Sequence, residues 1–600
     1  MDDIERPVGP LADAPAFGSD VAAATLRSLE IPYVALTPGA SFRGLHDSLV
    51  NHLGNERPQM LLCLHEEHAV AIAHGFAKVT GRAMAVALHA NVGLLNATMA
   101  IFNAWCDRMP VLVLGATGPV DAAKRRPWID WLHTARDQGA MVRPYVKWDD
   151  QPASAAAAQE ALLRGAWIAE TAPRGPVYIN LDAGMQEEAL ASPCPEIDPR
   201  RFRPAATPAA TPEALAQAAE LLLAAKRPVV LAGRASRRVE AWNNRVALAE
   251  RLRARVITDL KVGAAFPTDH PLHTGAPGIY LVPEAVETLV AADVVLSLDW
   301  VDLGGTLAAA FGAPAPAATI IHASLDHTLA NGWSMDHQAH PPVDLLLPAD
   351  PDRVVAGLVE GVRPCGSDPM AQPASEPGVR PAGSDPAPTS GEKKRTAAIQ
   401  VDDLAQALRS AVGARQVCLA HLPLSWHGAA WPFRHPLDYI GSDGGAGIGA
   451  GPGLAVGAAL ALKGSGRLPA AVCGDGDFLM GATALWTAVH YRIPLLLVVA
   501  NNRSFFNDEV HQERMARRRG RPVANKWIGQ RITDPDIDIA GLARAQGAVA
   551  FGPVVEPEDL PQCLASAIEA VGAGKVAVVD VRVEPGYTPA MTASLTRSAG

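Results

Sequence analysis

Aromatic residues make up only 5% of this 600-residue chain, and its seven cysteines are scattered with no Cys-x-x-Cys pair. Scarce, unpaired cysteine excludes a disulfide scaffold and the common zinc spacings, and fits reduced thiols. There is no excess of positive charge. Lys plus Arg number 52 against 62 Asp plus Glu, a net of −10, which argues against a nucleic-acid partner. No apolar run approaches the roughly 20 residues that span a bilayer. The N-terminal MDDIERPVG is acidic and lacks an apolar centre. We therefore expect no signal peptide, no membrane partner and a cytoplasmic location.

What is present is ample core material, with 49% hydrophobic residues, enough length for several domains, and a repeated alternation. Between residues 16 and 190, helical patterns (Ser19 to Leu29, Glu67 to Thr80) alternate with apolar strands (Tyr33 to Leu36, Met84 to Leu88, Val111 to Leu114, Val177 to Leu181). Strands at Pro228 to Ala232, Val256 to Thr258, Val294 to Leu298, Thr319 to His322 and Val343 to Leu347 continue the pattern over 205–352. A third unit, 396–590, ends in a strand at Val576 to Val581. Alternation of this kind predicts an α/β protein of three doubly wound parallel-sheet domains. Between the second and third units, residues 353–395 are rich in Pro, Gly and Ser. There Gly361-Val-Arg-Pro-Cys-Gly-Ser-Asp-Pro369 recurs as Gly378-Val-Arg-Pro-Ala-Gly-Ser-Asp-Pro386. Such a composition reads as a linker.

The most informative stretch runs from Gly474 to Phe506. An apolar strand, Leu468 to Cys473, leads into Gly474-Asp475-Gly476; a helical segment, Phe478 to His490, follows; a second strand, Ile493 to Ala500, ends at Asn501-Asn502. The carboxyl ends of strands in an open parallel sheet face a ligand crevice. Asp475 and Asn502 offer hard oxygen ligands there, which suit Mg²⁺. Gly474 and Gly476 let backbone N–H groups approach an anion, and the helix N-terminus attracts it. Together they predict a metal-bridged diphosphate.

Gly-Asp-Gly, then 24 residues, then Asn-Asn resembles the thiamine diphosphate motif of the pyruvate decarboxylase, benzoylformate decarboxylase and acetolactate synthase superfamily. The resemblance implies pyrimidine-binding (16–190), central (205–352) and diphosphate-binding (396–590) domains. It also implies Mg²⁺ held by Asp475, Asn502 and the Ser504 carbonyl, with Gly474, Gly476, Asp477 and Phe505 around the cofactor. His65-Glu66-Glu67-His68-Ala69 resembles the family's activating-glutamate motif. That makes Glu66 the acid against the aminopyrimidine ring, where burial and hydrogen bonding tune a carboxyl group, and leaves Glu67 peripheral. The glycine-rich Gly444 to Gly457 turn places Ile448 under the bent cofactor, with Ala446 as the rival register, and the Gly447 carbonyl near its amino group.

His89 and Asn96 match the spacing of a catalytic histidine and an asparagine in benzoylformate decarboxylases. Arg143-Pro144-Tyr145-Val146-Lys147-Trp148 resembles the same enzymes. One departure is plain: the central-domain segment Ser297 to Thr306 holds no histidine, where those enzymes carry a second one. A histidine titrates near neutrality and can move protons, so His89 and, on the helix after Asn502, His511 are candidates. Asn507 and His511 are four apart, hence on one helix face. His421 and His427 flank Trp426 as another candidate wall. The run Arg514, Arg517, Arg518, Arg519, Arg521 would suit a coenzyme A phosphate, but such runs are more often a solvated face or subunit contact. Gly233-Arg234-Ala235-Ser236 follows a strand without Gly-x-Gly-x-x-Gly, so we expect neither FAD nor ADP. The expected enzyme is a 2-oxo acid decarboxylase needing thiamine diphosphate and Mg²⁺, with some carboligase activity. The expected assembly is a homotetramer, a dimer of dimers with active sites between subunits. The alternatives are an acetolactate synthase-like carboligase, a 2-hydroxyacyl-CoA or acyloin lyase, and a non-catalytic scaffold, which the intact Glu66, Asp475 and Asn502 oppose.

Overall fold

A computed structural model describes residues 4–12, 14–312, 316–329, 340–362, 398–587 and 591–592. Three sheets carry the chain, and every strand pair in them is parallel. The first orders its strands Gln59–Leu62, Tyr33–Leu36, Met84–Leu88, Val111–Thr117, Val177–Asp182, Asp149–Asp150. The second orders Leu345–Leu347, Thr319–Ala323, Val294–Leu298, Pro228–Ala232, Arg255–Ile257, and the third Val417–His421, Leu468–Gly474, Leu495–Asn501, Val576–Arg582, Val549–Val554. Helices cover both faces of such sheets, so central strands such as Leu495–Asn501 are buried along their whole length. This is why they read as unbroken apolar runs rather than alternating ones.

Local chemistry starts and stops the helices. His65 Nδ1 accepts the Glu67 N–H at 3.1 Å and opens Glu66–Thr80, which ends at Gly81 with φ 68°. Asp350 caps Pro351–Gly361 through the N–H groups of Asp352 and Arg353. That helix occupies the start of the stretch assigned to a linker; the second copy of the duplication and most of the first lie outside the described residues.

The first and third domains meet along two helices, Glu66–Thr80 and Ala450–Ala461. Glycine makes the approach possible. A Cβ at Gly457 would lie 2.0 Å from the Ile72 carbonyl oxygen, and one at Gly75 would lie 2.1 Å from that of Leu454. The predicted helix Phe478 to His490 is two helices, Asp475–Gly481 and Ala484–His490. At the break, Gly481 abuts Pro452 and the Gly449 carbonyl, and Thr483 Oγ1 lies 2.8 Å from His68 Nε2. Tertiary contacts thus override a helical pattern. Among the described residues, no helix is long and apolar enough to cross a membrane.

Candidate active site

The carboxyl ends of Leu468–Gly474 and Leu495–Asn501 open into a cleft of ≈ 450 Å³. Ile448, Gly474, Asp475, Gly476, Asp477, Asn502, Ser504 and Phe505 all line it. The cleft also takes Leu422, Trp426 and His427 from the segment after Val417–His421, and Tyr587 from the C-terminal end. Pro277 to Val282 of the central domain form a further wall that no sequence motif marked.

Asp475 is buried, and its Oδ2 has no hydrogen-bond partner among the described residues. Burial pushes its carboxyl up to about 6, against the pull of backbone N–H groups at Asp475, Gly476, Arg503 and Ser504. An orphan buried carboxylate oxygen is costly, and a hard cation would satisfy it. The Ser504 side chain is committed elsewhere, donating to Glu509 Oε1 at 2.6 Å, which leaves its carbonyl as the ligand atom. Asn502 Oδ1 accepts the Ser504 N–H at 2.9 Å and so holds the turn in shape. Asn501 serves the scaffold, donating to Asp580 Oδ1 at 2.8 Å. The donor set fits Mg²⁺ with a diphosphate.

Asp477 takes a different part. Its Oδ1 accepts the N–H groups of Gly449 at 2.7 Å and Gly451 at 3.2 Å. His421 Nε2 lies 3.2 Å from its Oδ2. Burial alone would raise this carboxyl, but His421 and the two N–H groups bring it below the usual range. His421 is raised in turn, burial opposing Asp477 and losing. Cys473 joins them in a buried His–Cys–Asp cluster. Asp443, also buried, is pushed up to about 6. Ile448 and Ala446 both line the cleft; Ile448 alone has bulk there and is 47% exposed. Gly447 faces the other way, against the first domain, where a Cβ would lie 2.5 Å from Met99 Cε.

The first-domain candidates form their own group. Asn96 Nδ2 donates to Glu66 Oε2 at 3.0 Å; Asn96 thus orients the glutamate. The Ser41 backbone N–H donates to His89 Nδ1 at 3.4 Å, and Ser41 Oγ, which accepts the Ala90 N–H at 3.1 Å, lies 2.9 Å from the same nitrogen. Nδ1 is then an acceptor, and Nε2 carries the proton of the neutral ring. Burial, then His133, hold His89 below its ordinary range, while Glu66 opposes them. Among the described residues, no first-domain side chain lines the cleft. Glu67, expected to be peripheral, instead turns toward the third domain: burial first, then Asp477, raise its carboxyl, with His65 opposing.

The structure does not bring His511 into the cleft. The wall takes Phe506, Asn507 and Asp508 from the Phe506–Arg518 helix, and His511 lies a turn further on. The arginine run occupies the exposed end of that helix, where Arg517 pairs with Glu513 at 2.7 Å. The crevice at the carboxyl ends of the central sheet is crossed by ion pairs. Arg234 lies 2.8 Å from Asp326, which also sits 2.8 Å from Arg108 of the first domain.

Three family models match the chain in order: the N-terminal thiamine pyrophosphate-binding domain over 17–141, the central domain over 215–344, and the C-terminal binding domain over 423–581. The chain belongs to the thiamine diphosphate-dependent enzymes. It is 27% identical over 547 residues to benzoylformate decarboxylase of Pseudomonas aeruginosa, covering 88% of this chain and 92% of that protein. It is 25% identical over 584 residues to the acetolactate synthase isozyme 3 large subunit of Escherichia coli, covering 94% of this chain and 95% of that one. The solved benzoylformate decarboxylase of Polynucleobacter necessarius shares the fold with a TM-score of 0.75 at 21% identity, covering 96% of this chain and all of that one. Family and site together make the protein a thiamine diphosphate-dependent carbon–carbon lyase or carboligase.

Proposed function

We propose that the protein is a 2-oxo acid decarboxylase dependent on thiamine diphosphate and Mg²⁺, with carboligation as a side reaction. The observation that carries this is the division of the catalytic groups. Asp475, Asn502, Ser504 and Ile448 line one cleft, while Glu66 with Asn96 and His89 with Ser41 stand together outside it. One subunit's cleft needs another's first domain to become a site, so the working unit is at least a dimer. We take it to be a homotetramer in the cytoplasm, since closed symmetric assemblies are the rule.

Asp475, Asn502 and the Ser504 carbonyl would hold Mg²⁺ with the diphosphate. Gly474 and Gly476 would offer it backbone N–H groups, and Ile448 would pack against the bound cofactor. The bound cofactor supplies an electron sink for the bond that breaks as CO₂ leaves. Glu66 holds a proton at the aminopyrimidine ring, and Asn96 keeps it aimed. His89 exchanges a proton at Nε2 with the reacting substrate.

The test is release of CO₂ and aldehyde from a panel of 2-oxo acids with thiamine diphosphate and Mg²⁺. It is run beside deuterium exchange at C2 of the bound cofactor. Glu66→Gln is expected to lower both rates by about 10²–10⁴-fold, and Asn96→Ala to lower exchange by about tenfold through loss of the hydrogen bond that aims Glu66. Exchange without turnover of any 2-oxo acid would sink the decarboxylase assignment, and acyloins and 2-hydroxyacyl-CoAs would be tried next.

A further inference from the structure

The second histidine expected of a benzoylformate-type site is missing from Ser297 to Thr306, but a second histidine does stand beside the first. The His133 ring lies 4.5 Å from the His89 ring, centroid to centroid, at an interplanar angle of 74°. His133 comes from the segment that follows the Val111–Thr117 strand, and its backbone is pinned on both sides. Its carbonyl accepts the Gly118 N–H at 2.9 Å, and its N–H donates to the Ile129 carbonyl at 3.2 Å. Next to it, Thr134 Oγ1 donates to the Asp130 carbonyl at 2.5 Å. Buried Asp130 accepts the Arg126 backbone N–H at 2.7 Å and its guanidinium at 2.8 Å. Such anchoring fixes the backbone that carries the ring and holds it against His89.

The surroundings of the pair point outward to a partner surface. Trp128, Trp131 and Leu132 are 70%, 76% and 40% exposed on the His133 side, and Val92 and Leu95 are 44% and 58% exposed just after His89. Trp128 holds φ 63°, ψ −59°, a strained backbone for an aromatic residue. An apolar rim around two imidazoles, next to Glu66, is a wall that excludes water once covered.

Given the decarboxylase reading above, on which this rests, we propose that His133 is a second catalytic histidine of the first-domain face, touching the substrate together with His89. Two imidazoles in contact resist being charged together, so the pair accepts one proton far more readily than a second. As imidazolium, the pair hydrogen-bonds the substrate carboxylate. When the bond to that carboxylate breaks and CO₂ leaves, the carbon that carried it takes the proton. The pair recovers one from water, so each aldehyde released consumes one proton. The charged or titratable groups facing His89 are His133, Glu66 and Arg126, with Ser41 Oγ on Nδ1.

The experiment uses the holoenzyme as wild type, His133→Ala and His133→Gln. It measures cofactor C2 exchange, and kcat and KM for the best 2-oxo acid of the panel from pH 5.5 to 8.5. His133→Ala is expected to lower kcat at least about tenfold and to abolish the acidic limb that the second protonation of the pair sets. C2 exchange should stay within about twofold of wild type. His133→Gln keeps an N–H donor and is expected to recover KM but not kcat. Wild-type kcat and pH profile in both variants would overturn the proposal. So would an equal fall in exchange and turnover, which marks a merely structural residue. A wild type that exchanges C2 yet turns over no 2-oxo acid overturns the decarboxylase reading, and this assignment with it.

Discussion

Asp477 Oδ1 accepts the backbone N–H of Gly449 at 2.7 Å, tying the strand that ends in the Gly-Asp-Gly turn to the glycine loop that presents Ile448. Gly449 has φ 104°, a conformation that suits glycine. The carboxylate thus holds a strained turn and, through His421, reaches the end of the neighbouring Val417–His421 strand. Both neighbours matter because, on the proposed function, the cofactor would sit on the turn.

Asp477→Asn should therefore act on cofactor binding rather than on chemistry. An amide oxygen in place of Oδ1 keeps the Gly449 and Gly451 N–H groups, but the second position becomes an NH₂ that cannot receive the His421 proton. Charge-assisted hydrogen bonds of this kind contribute about 1.5–3 kcal/mol. Dissociation of thiamine diphosphate, followed by fluorescence titration with Mg²⁺ in excess, is expected to weaken about 10- to 100-fold. kcat at saturating cofactor should change less than about threefold. Unchanged affinity would show that the turn keeps its shape without the carboxylate.

The helix pair between the first and third domains gives a stability prediction. At Gly457 a Cβ would meet the Ile72 carbonyl oxygen at 2.0 Å and the Phe76 nitrogen at 2.9 Å, backbone atoms with no rotamer to yield. Gly457→Ala forces the helices apart, an overpacking cost of about 1–3 kcal/mol, and should lower the thermal midpoint. Gly572→Ala is the control. A Cβ there meets nothing within 4 Å, so it should leave the midpoint alone or raise it slightly. Equal midpoints for both variants would contradict the tight approach.

How far these features were legible in the sequence depended on whether the chemistry was local. The Gly-Asp-Gly and Asn-Asn elements were readable because their two strands are adjacent in sequence and pair directly, Cys473 beside Val499 and Gly474 beside Ala500. The His65 to Ala69 motif stood out because its residues are contiguous. The position of Glu67, the wall at Pro277 to Val282 and the His89–His133 contact were not, since each joins segments that meet only after the sheets pack. His511 misled because four-residue spacing fixes a helix face but not which turn of the helix reaches the cleft. The break at Ala482 and Thr483 was hidden in a helical pattern for the same reason: Gly449, Pro452 and His68, which shape it, lie far away in sequence.

His68 ties that break to acid stability. It is 2% exposed, its Nε2 lies 2.8 Å from Thr483 Oγ1, and its Nδ1 has no hydrogen-bond partner among the described residues. Burial first, then the nearby His65, push its imidazole down to about 4. The folded state therefore keeps His68 neutral where an unfolded chain, with a value of about 6.5, takes up a proton. Below that value the unfolded state binds more protons, so stability is lost as pH falls from about 6.5 toward 4, and is whole above it. At pH 5 the loss from this one residue is about 2 kcal/mol. His68→Gln retains a side-chain amide that can pair with Thr483 and does not titrate. Urea unfolding midpoints of the two proteins at pH 7.5 and pH 5.0 should show a smaller drop in the variant. An identical drop would place the acid sensitivity on other groups, such as His273, which burial also holds at about 4.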